Sequence, residues 1–291
     1  MRAALLLGLA ILAAVPSSPV LSQTPATATA PSAFLNITPK RLTFDRNRRN
    51  GTIFLLNQGT EPVTVDLWIS DRVMLADGQI FAAEDAAKRD DGKGPAAQLK
   101  SAKELLQVSP RRVTLQPGRP QTVRVRLTGL PDAASGEHRS HLTITTIPPR
   151  DAGTTPEAAA GGGSSQLSFQ ILAVYGLSIP LVVRPTDPDV RAAIEGAHLE
   201  PAQAGKPPVV ALDLVRQGES SAFGNFEVRT VGERKGAEPL GVVRGVAVYP
   251  EVARRTVRIL LARAPAPGEK LEVTFTDDDT SPGKVLAKAA F

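Results

Sequence analysis

The segment that most constrains the fold runs over residues 167–184, with the sequence LSFQILAVYGLSIPLVVR. Every second residue of it is apolar, at Leu167, Phe169, Ile171, Ala173, Tyr175, Leu177, Ile179, Leu181 and Val183. Because side chains alternate between the two faces of a strand, this pattern predicts a β-strand with one wholly apolar face. A strand of this length would extend about 60 Å, more than one short sandwich covers. We therefore expect a bend near residues 176–180, with the second half in a core and the first half offering its side chains elsewhere.

Other short apolar or alternating runs, separated by turns rich in Gly and Pro, occur along most of the chain. Only 4% of the residues are aromatic, so the cores must consist of Val, Leu and Ile, which favour strands. Seven or more strands at this spacing are typical of an immunoglobulin-like β-sandwich. The sequence predicts an all-β fold of two such domains, residues 34–185 and 186–291. A polar, charged insertion between Leu75 and Leu106 interrupts the first domain, with a short helix expected over residues 98–106.

The N-terminus has the layout of a secretory signal peptide over residues 1–22. Arg2 precedes an apolar run that ends at Val15, and small residues follow before a cleavage site near Gln23. An uncleaved membrane anchor is the alternative, but the run is shorter than the roughly 20 residues that span a bilayer. Residues 23–33 predict a flexible leader. The exported chain has no cysteine, so burial alone must hold its domains together.

Composition and motifs argue against several classes of function. The net charge of +5 is a small excess and aromatic residues are few, which does not favour a nucleic-acid-binding protein. His138 and His141 would lie on opposite faces of a strand and make a poor metal site. The acidic run at residues 277–279 lacks the spacing of an EF-hand loop, and no nucleophile elbow, P-loop or dinucleotide motif is present. We expect no catalytic residues, no metal and no cofactor.

A set of motifs in the predicted first domain resembles the PapD-like periplasmic chaperones of the chaperone–usher pilus pathway. In chain order they are ITPKRLTF at residues 37–44, VDLWISD at 65–71, VSPRRVTLQPGRPQTVRVRL at 108–127, GEHRSHLTI at 136–144, IPP at 147–149 and YGLSIPLVVRP at 175–185. The resemblance implies a non-enzymatic periplasmic protein whose two sandwiches form a boomerang. Members bind incomplete pilin subunits by donor-strand complementation, lending the strand that ends the first domain, and deliver them to an outer-membrane usher.

The resemblance also implies roles for individual residues. The donor side chains would be Leu167, Phe169, Ile171, Ala173 and Tyr175. Arg41 matches an arginine that anchors the terminal carboxylate of the subunit.

The lysine that assists this arginine in the family is absent, because Pro180 stands at its position. Arg184 matches an arginine that ties the domains together, with Glu137 as its partner from the first domain and Asp277 or Asp278 from the second. The same apolar edge could pair with a second copy of the chain.

Two other functions remain open from the sequence. An exported immunoglobulin-like module that binds a partner through ordinary surfaces would show the same strands without a lent strand. A hydrolase on a sandwich scaffold would need a cluster of acid, base and nucleophile, which the sequence does not provide.

Overall fold

The computed structural model describes residues 35–148, 174–201, 205–232 and 236–291, and these residues belong to one compact unit. The predicted signal peptide, the leader and donor positions 167–173 lie outside the described residues. Within the described ranges, no helix is long and apolar enough to cross a membrane. The all-β fold with two sandwiches is confirmed by the strands and their pairing.

Among the described residues, eleven strands precede Arg184. They are β1 (Leu35–Thr38), β2 (Leu42–Phe44), β3 (Asn50–Asn57), β4 (Val63–Ser70), β5 (Arg72–Met74), β6 (Ile80–Ala82), β7 (Leu106–Ser109), β8 (Arg112–Leu115), β9 (Gln121–Leu127), β10 (His138–Ile147) and β11 (Gly176–Val183). The helical segments are α1 (Ala83–Ala86), α2 (Lys93–Gln98) and 3₁₀ turns at Lys103–Leu105 and Ala133–Ser135.

Two sheets of the first half face each other as an immunoglobulin-like sandwich. Their strand orders are β1-β3-β9-β7 and β2-β11-β10-β4-β8. The chain changes sheets between β1 and β2 at Pro39 and between β7 and β8 at Pro110, and both prolines follow cis peptide bonds. Alternation places one face of each strand inside, so that Val123 and Val125 of β9 are fully buried while Arg124 between them is exposed.

The second half forms a smaller sandwich with its own core. Its strands are β12 (Ala192–Leu199), β13 (Val209–Arg216), β14 (Ala222–Thr230), β15 (Gly241–Val248), β16 (Arg254–Leu260), β17 (Leu271–Asp277) and β18 (Val285–Ala290). The sheet orders are β12-β13-β16 and β15-β14-β17-β18. Phe226 and Phe275 lie fully buried at the centre, with ring centroids 4.6 Å apart. The proposed domain boundary after residue 185 falls in the connection between β11 and β12.

The insertion in the first half is more structured than the sequence predicted. The helix expected over residues 98–106 is wrong: α2 ends at Gln98, where Leu99 takes an extended backbone with ψ of 120°, and only a 3₁₀ turn follows. Pro95 lies in the first turn of α2, where its missing N–H costs no helical hydrogen bond. Before α1, β5 and β6 pair as an antiparallel hairpin that reaches the second sandwich.

Candidate functional site

The candidate site is a cleft between the two sandwiches. Two neighbouring cavities of about 640 and 410 Å³ lie there and share Thr43, Arg48 and Asp279 in their walls. One wall comes from β2 and the turn that follows it, and the other from the turn after β17. The cleft therefore brings together residues that are more than 200 positions apart in the chain, as in the contact between Arg41 and Asp279, 238 positions apart.

Arg41 stands in this cleft immediately before β2. Its Nη2 donates to Oδ2 of Asp279 over 3.0 Å and to Oγ of Ser221 over 3.2 Å. Its guanidinium carbon also lies 4.9 Å from the ring centroid of Phe223, a cation–π contact. The side chain is only 9% exposed, yet Nε and Nη1 have no hydrogen-bond partner among the described residues. These two nitrogens are donors that an anion could bind if the cleft opens to admit it.

Arg184 is buried next to Arg41 and shares its partners. Nε of Arg184 donates to Oε2 of Glu137 over 2.8 Å, and Nη2 lies 2.9 Å from Oδ2 of Asp279 and 3.4 Å from Oγ of Ser221. Burial acts to lower the pKa of Arg184, but Glu137 and Asp279 together raise it. One carboxylate oxygen and one hydroxyl of the second sandwich thus bridge the two arginines of the first.

The acidic partner from the second sandwich is Asp279, so the expectation of Asp277 or Asp278 is wrong. Asp277 is 2% exposed and holds the turn, since its carboxylate accepts from the backbone N–H of Asp279 over 3.1 Å and of Ser281 over 2.7 Å. Burial would raise the pKa of Asp277, but these bonds and one from the Thr280 hydroxyl lower it overall. Asp278 donates its backbone N–H to the carbonyl of Phe223. Asp277 therefore positions Asp279 rather than binding Arg184 itself.

Strand β11 has an edge that is only partly paired. On one side it pairs with β10 along its whole length, from Gly176 opposite Thr145 to Val183 opposite His138. On the other side, β2 runs parallel to it and covers residues 181–183 alone. Among the described residues, no strand pairs with residues 176–180 on this edge.

The even-numbered residues of β11 direct their backbone groups toward this edge, because the next one, Arg184, donates its N–H to the carbonyl of Phe44 in β2. Gly176 and Ser178 therefore offer N–H and C=O groups there, whereas Pro180 offers only a carbonyl. The pairing of Leu42 with Leu181 places Arg41 at the end of the unpaired stretch. A strand added there in line with β2 would run directly to Arg41.

Of the predicted donor side chains, only Tyr175 is described. It is 40% exposed, its backbone N–H donates to Oγ1 of Thr146 and its carbonyl accepts from the N–H of Thr146, both over 2.9 Å. Leu167, Phe169, Ile171 and Ala173 lie outside the described residues. Pro180, at the position of the absent lysine, lies opposite His141 in the sheet.

Sequence reasoning missed Arg48, which lines both cavities of the cleft. The turn that carries it is fixed by Asp45, whose Oδ1 accepts the backbone N–H groups of Asn47 and Arg48, each over 2.7 Å. An aspartate that precedes a polar turn is a recognised turn signal and could have indicated this loop. The direction of the Arg48 side chain toward the cleft depends on the tertiary fold.

The described residues of the chain have folds similar to several solved structures. These include the YadV chaperone, with 12% identity, a TM-score of 0.45 and coverage of 88% of this chain and 99% of that one. The E. coli chaperone DraB has 14% identity, a TM-score of 0.43 and coverage of 89% and 96%.

The SafB chaperone of Salmonella enterica, solved in complex with the SafA pilin, has 13% identity, a TM-score of 0.40 and coverage of 88% and 95%. Comparison with protein-family models and with curated protein sequences finds no match. At these TM-scores the similarities assign no role to any residue, and the roles of the cleft residues depend on their own contacts.

Proposed function

We propose that this protein is a periplasmic chaperone that captures pilin subunits by lending them a strand and delivers them to an outer-membrane usher. The observation that carries the proposal is the edge of β11 at residues 176–180, which no strand of the described residues covers and which lies in line with β2 and ends at Arg41. The residues before β11 continue its apolar alternation back to Leu167. An edge with a continuous apolar face is what a subunit that lacks one strand of its own sandwich requires.

The chemistry of this edge suits an added strand. Backbone N–H and C=O groups at an open edge gain hydrogen bonds from a new strand, and alternate side chains can fill a groove in the core of the partner. Leu167, Phe169, Ile171 and Ala173 are the side chains proposed for that groove, with Tyr175 at the boundary to the chaperone's own sheet. The unpaired backbone groups of the edge and the apolar groove of the subunit would both be hidden from water in the complex.

The direction of the added strand follows from Arg41. If its guanidinium binds the terminal carboxylate of the subunit, the last residue of the subunit must lie next to Arg41. The added strand then runs parallel to β11, as β2 does. Nη1 of Arg41, which has no hydrogen-bond partner among the described residues, is the donor proposed for such a carboxylate.

Charge balance indicates a second cation for the same carboxylate. Arg41 and Arg184 are already matched by Glu137 and Asp279, so an incoming carboxylate would add an unbalanced negative charge. Arg48 lines both cavities and makes no ion pair within the described ranges. We assign Arg48 the role of supplying the positive charge that the absent lysine provides in the family.

The remaining parts of the proposal follow from the sequence, except for the interdomain network, which rests on the contacts of Arg184. Export by a cleaved signal peptide over residues 1–22 places the protein in the periplasm, and the absence of any recognised catalytic motif is consistent with a non-enzymatic chaperone. The proposed domains are residues 34–185 and 186–291. The interdomain network consists of Arg184 with Glu137 and Asp279.

Co-expression with a candidate pilin tests the strand assignment. We expect Phe169→Glu and Ile171→Glu each to reduce recovery of the chaperone–pilin complex by more than about tenfold, because a charge in an apolar groove is costly. Gln170→Glu is the matched control, since residue 170 has the opposite parity and should face away from the groove. If Phe169→Glu and Ile171→Glu both gave full recovery of the complex, the strand assignment would be contradicted. The alternative, a module that binds through ordinary surfaces, would then be favoured.

A synthetic peptide that corresponds to the last strand of that pilin tests the carboxylate anchor. We expect the wild-type chaperone to bind the free acid about tenfold or more tightly than the C-terminal amide. Arg41→Ala should abolish this preference and Arg48→Ala should reduce it, while Arg49→Ala serves as a nearby exposed control. If Arg41→Ala left the ratio of the two peptide affinities unchanged, the role of Arg41 as the carboxylate anchor would be contradicted. The strand assignment would not be affected by this result.

A further inference from the structure

The β5–β6 hairpin belongs to the first sandwich by sequence but packs into the core of the second. It begins two residues after β4 ends. Met74 is 2% exposed and is part of the hydrophobic core of the second sandwich, and Ile80, its cross-strand partner, packs against that core. The second sandwich therefore buries apolar side chains that its own strands do not supply.

Backbone contacts fix the hairpin in this position. The N–H of Met74 donates to Oε1 of Glu251 over 3.0 Å, and Thr256 at the start of β16 donates its N–H to the carbonyl of Ala76 over 2.8 Å. Gly78 has a φ of +85°, and a Cβ there would lie 2.2 Å from Nε of Arg255. The positive φ favours glycine at this turn, and any larger residue would also displace the side chain of Arg255.

A buried ion pair reinforces the contact. Arg139 of β10 is 2% exposed and pairs with Glu251, which is 3% exposed. Nη2 of Arg139 also donates to the carbonyl of Arg72 over 2.9 Å, and its guanidinium carbon lies 3.9 Å from the ring centroid of Tyr249. The carboxylate of Glu251 thus receives donors from both the hairpin and β10.

We propose that the β5–β6 hairpin is a latch that couples the two sandwiches into one cooperative folding unit. The latch consists of the hairpin, Arg139 and the receiving residues Tyr249 and Glu251. Opening the second core exposes Met74 and breaks its bond to Glu251, so unfolding of the second sandwich must destabilise the first. This coupling is independent of the proposed function, because it needs no client.

The single tryptophan makes the coupling measurable in the full chain. Trp68 lies on β4 of the first sandwich, so its fluorescence follows the unfolding of that sandwich, while circular dichroism follows both. Val273→Ala removes fully buried volume from the second core. In an otherwise wild-type chain, we expect Val273→Ala to lower the urea midpoint of the Trp68 signal as much as that of the circular dichroism.

Breaking the latch should abolish the response, which is the shift of the Trp68 urea midpoint caused by Val273→Ala. In a Met74→Asp background, we expect Val273→Ala to leave the Trp68 midpoint unchanged and to split the two signals. Because a buried aspartate can prevent folding altogether, Met74→Ala is the second variant, in which the response should fall to less than about half. Gln79→Ala, at an exposed position of the same hairpin, should keep the full response.

Two results would overturn the proposal. One is a urea midpoint of the Trp68 signal that Val273→Ala leaves unchanged in the wild-type background. This result would mean that the sandwiches unfold independently. The other is a full response in Met74→Ala, which would mean that burial of the hairpin in the second core does not carry the coupling.

Discussion

Two buried arginines join the sandwiches, and their surroundings differ. Arg139 is enclosed by Glu251, the ring of Tyr249 and the hairpin backbone. Arg184 has two carboxylates and lies in the wall of a cavity of about 640 Å³. The side chain of Asp279 is 13% exposed in that wall, whereas the side chains of Arg139 and Glu251 are almost completely buried. The same residue type therefore closes the structure at one contact and leaves the other contact open to a partner.

The largest effect is expected where the arginine is enclosed. Arg139→Met leaves the carboxylate of Glu251 buried without its cation and should lower the free energy of unfolding by about 3–5 kcal/mol. Urea unfolding, monitored by circular dichroism, measures this loss of free energy. Arg112→Met is the control, because Arg112 and its partner Asp66 form an exposed pair and their loss should change stability little. If Arg139→Met and Arg112→Met lowered the free energy of unfolding equally, the larger contribution expected of the enclosed arginine would be contradicted.

A smaller loss is expected at the open network. Arg184→Ala removes hydrogen bonds to Glu137 and Asp279, but Asp279 lines the neighbouring cavity, where water can solvate its carboxylate. We expect the free energy of unfolding to fall by about 1.5–3 kcal/mol, with partial recovery in Arg184→Lys. A loss as large as that of Arg139→Met, measured in the same denaturant series, would show that the cleft network is enclosed as well.

The smallest effect concerns pH and the enclosed network. Burial lowers the pKa of His141 well below 6.5, and Arg139, Arg72 and Arg41 lower it further, so the folded protein holds the imidazole neutral. The unfolded chain binds a proton there below about pH 6.5, and stability is therefore lost as the pH falls below that value.

We expect His141→Gln to reduce this slope by up to about 1.4 kcal/mol per pH unit, measured by urea unfolding between about pH 7 and 5. His198→Gln, at an exposed position, is the control substitution. An identical slope in the wild type and His141→Gln would contradict a neutral, enclosed imidazole.

The strands and the central contact of the cleft could be predicted from the sequence. Alternation identifies the core faces, and the family resemblance implied the contact between Arg184 and Glu137, whose side chains lie 2.8 Å apart. Three consecutive aspartates, however, cannot be ranked by pattern. Which of them meets Arg184 depends on how the turn after β17 is held, and Asp277 holds it.

The latch could not be predicted from sequence patterns. Arginine in a strand is ordinarily exposed, so nothing local indicates that Arg139 is 2% exposed. Three apolar residues, Val73, Met74 and Leu75, are too few to show which core they enter. Their burial depends on contacts with residues far along the chain, and such contacts leave no local period.

The latch also has a consequence for the order in which the molecule is built. The hydrogen bond between Met74 and Glu251 joins residues 177 positions apart. Because domains generally fold as they emerge, N-terminal first, the first sandwich can form while its hairpin has no receptor. Met74 and Ile80 then remain uncovered until the last third of the chain has emerged. During that interval the hairpin exposes an apolar surface that can associate with other chains. The time needed to complete the second sandwich therefore sets how long the incompletely folded protein is at risk of aggregation.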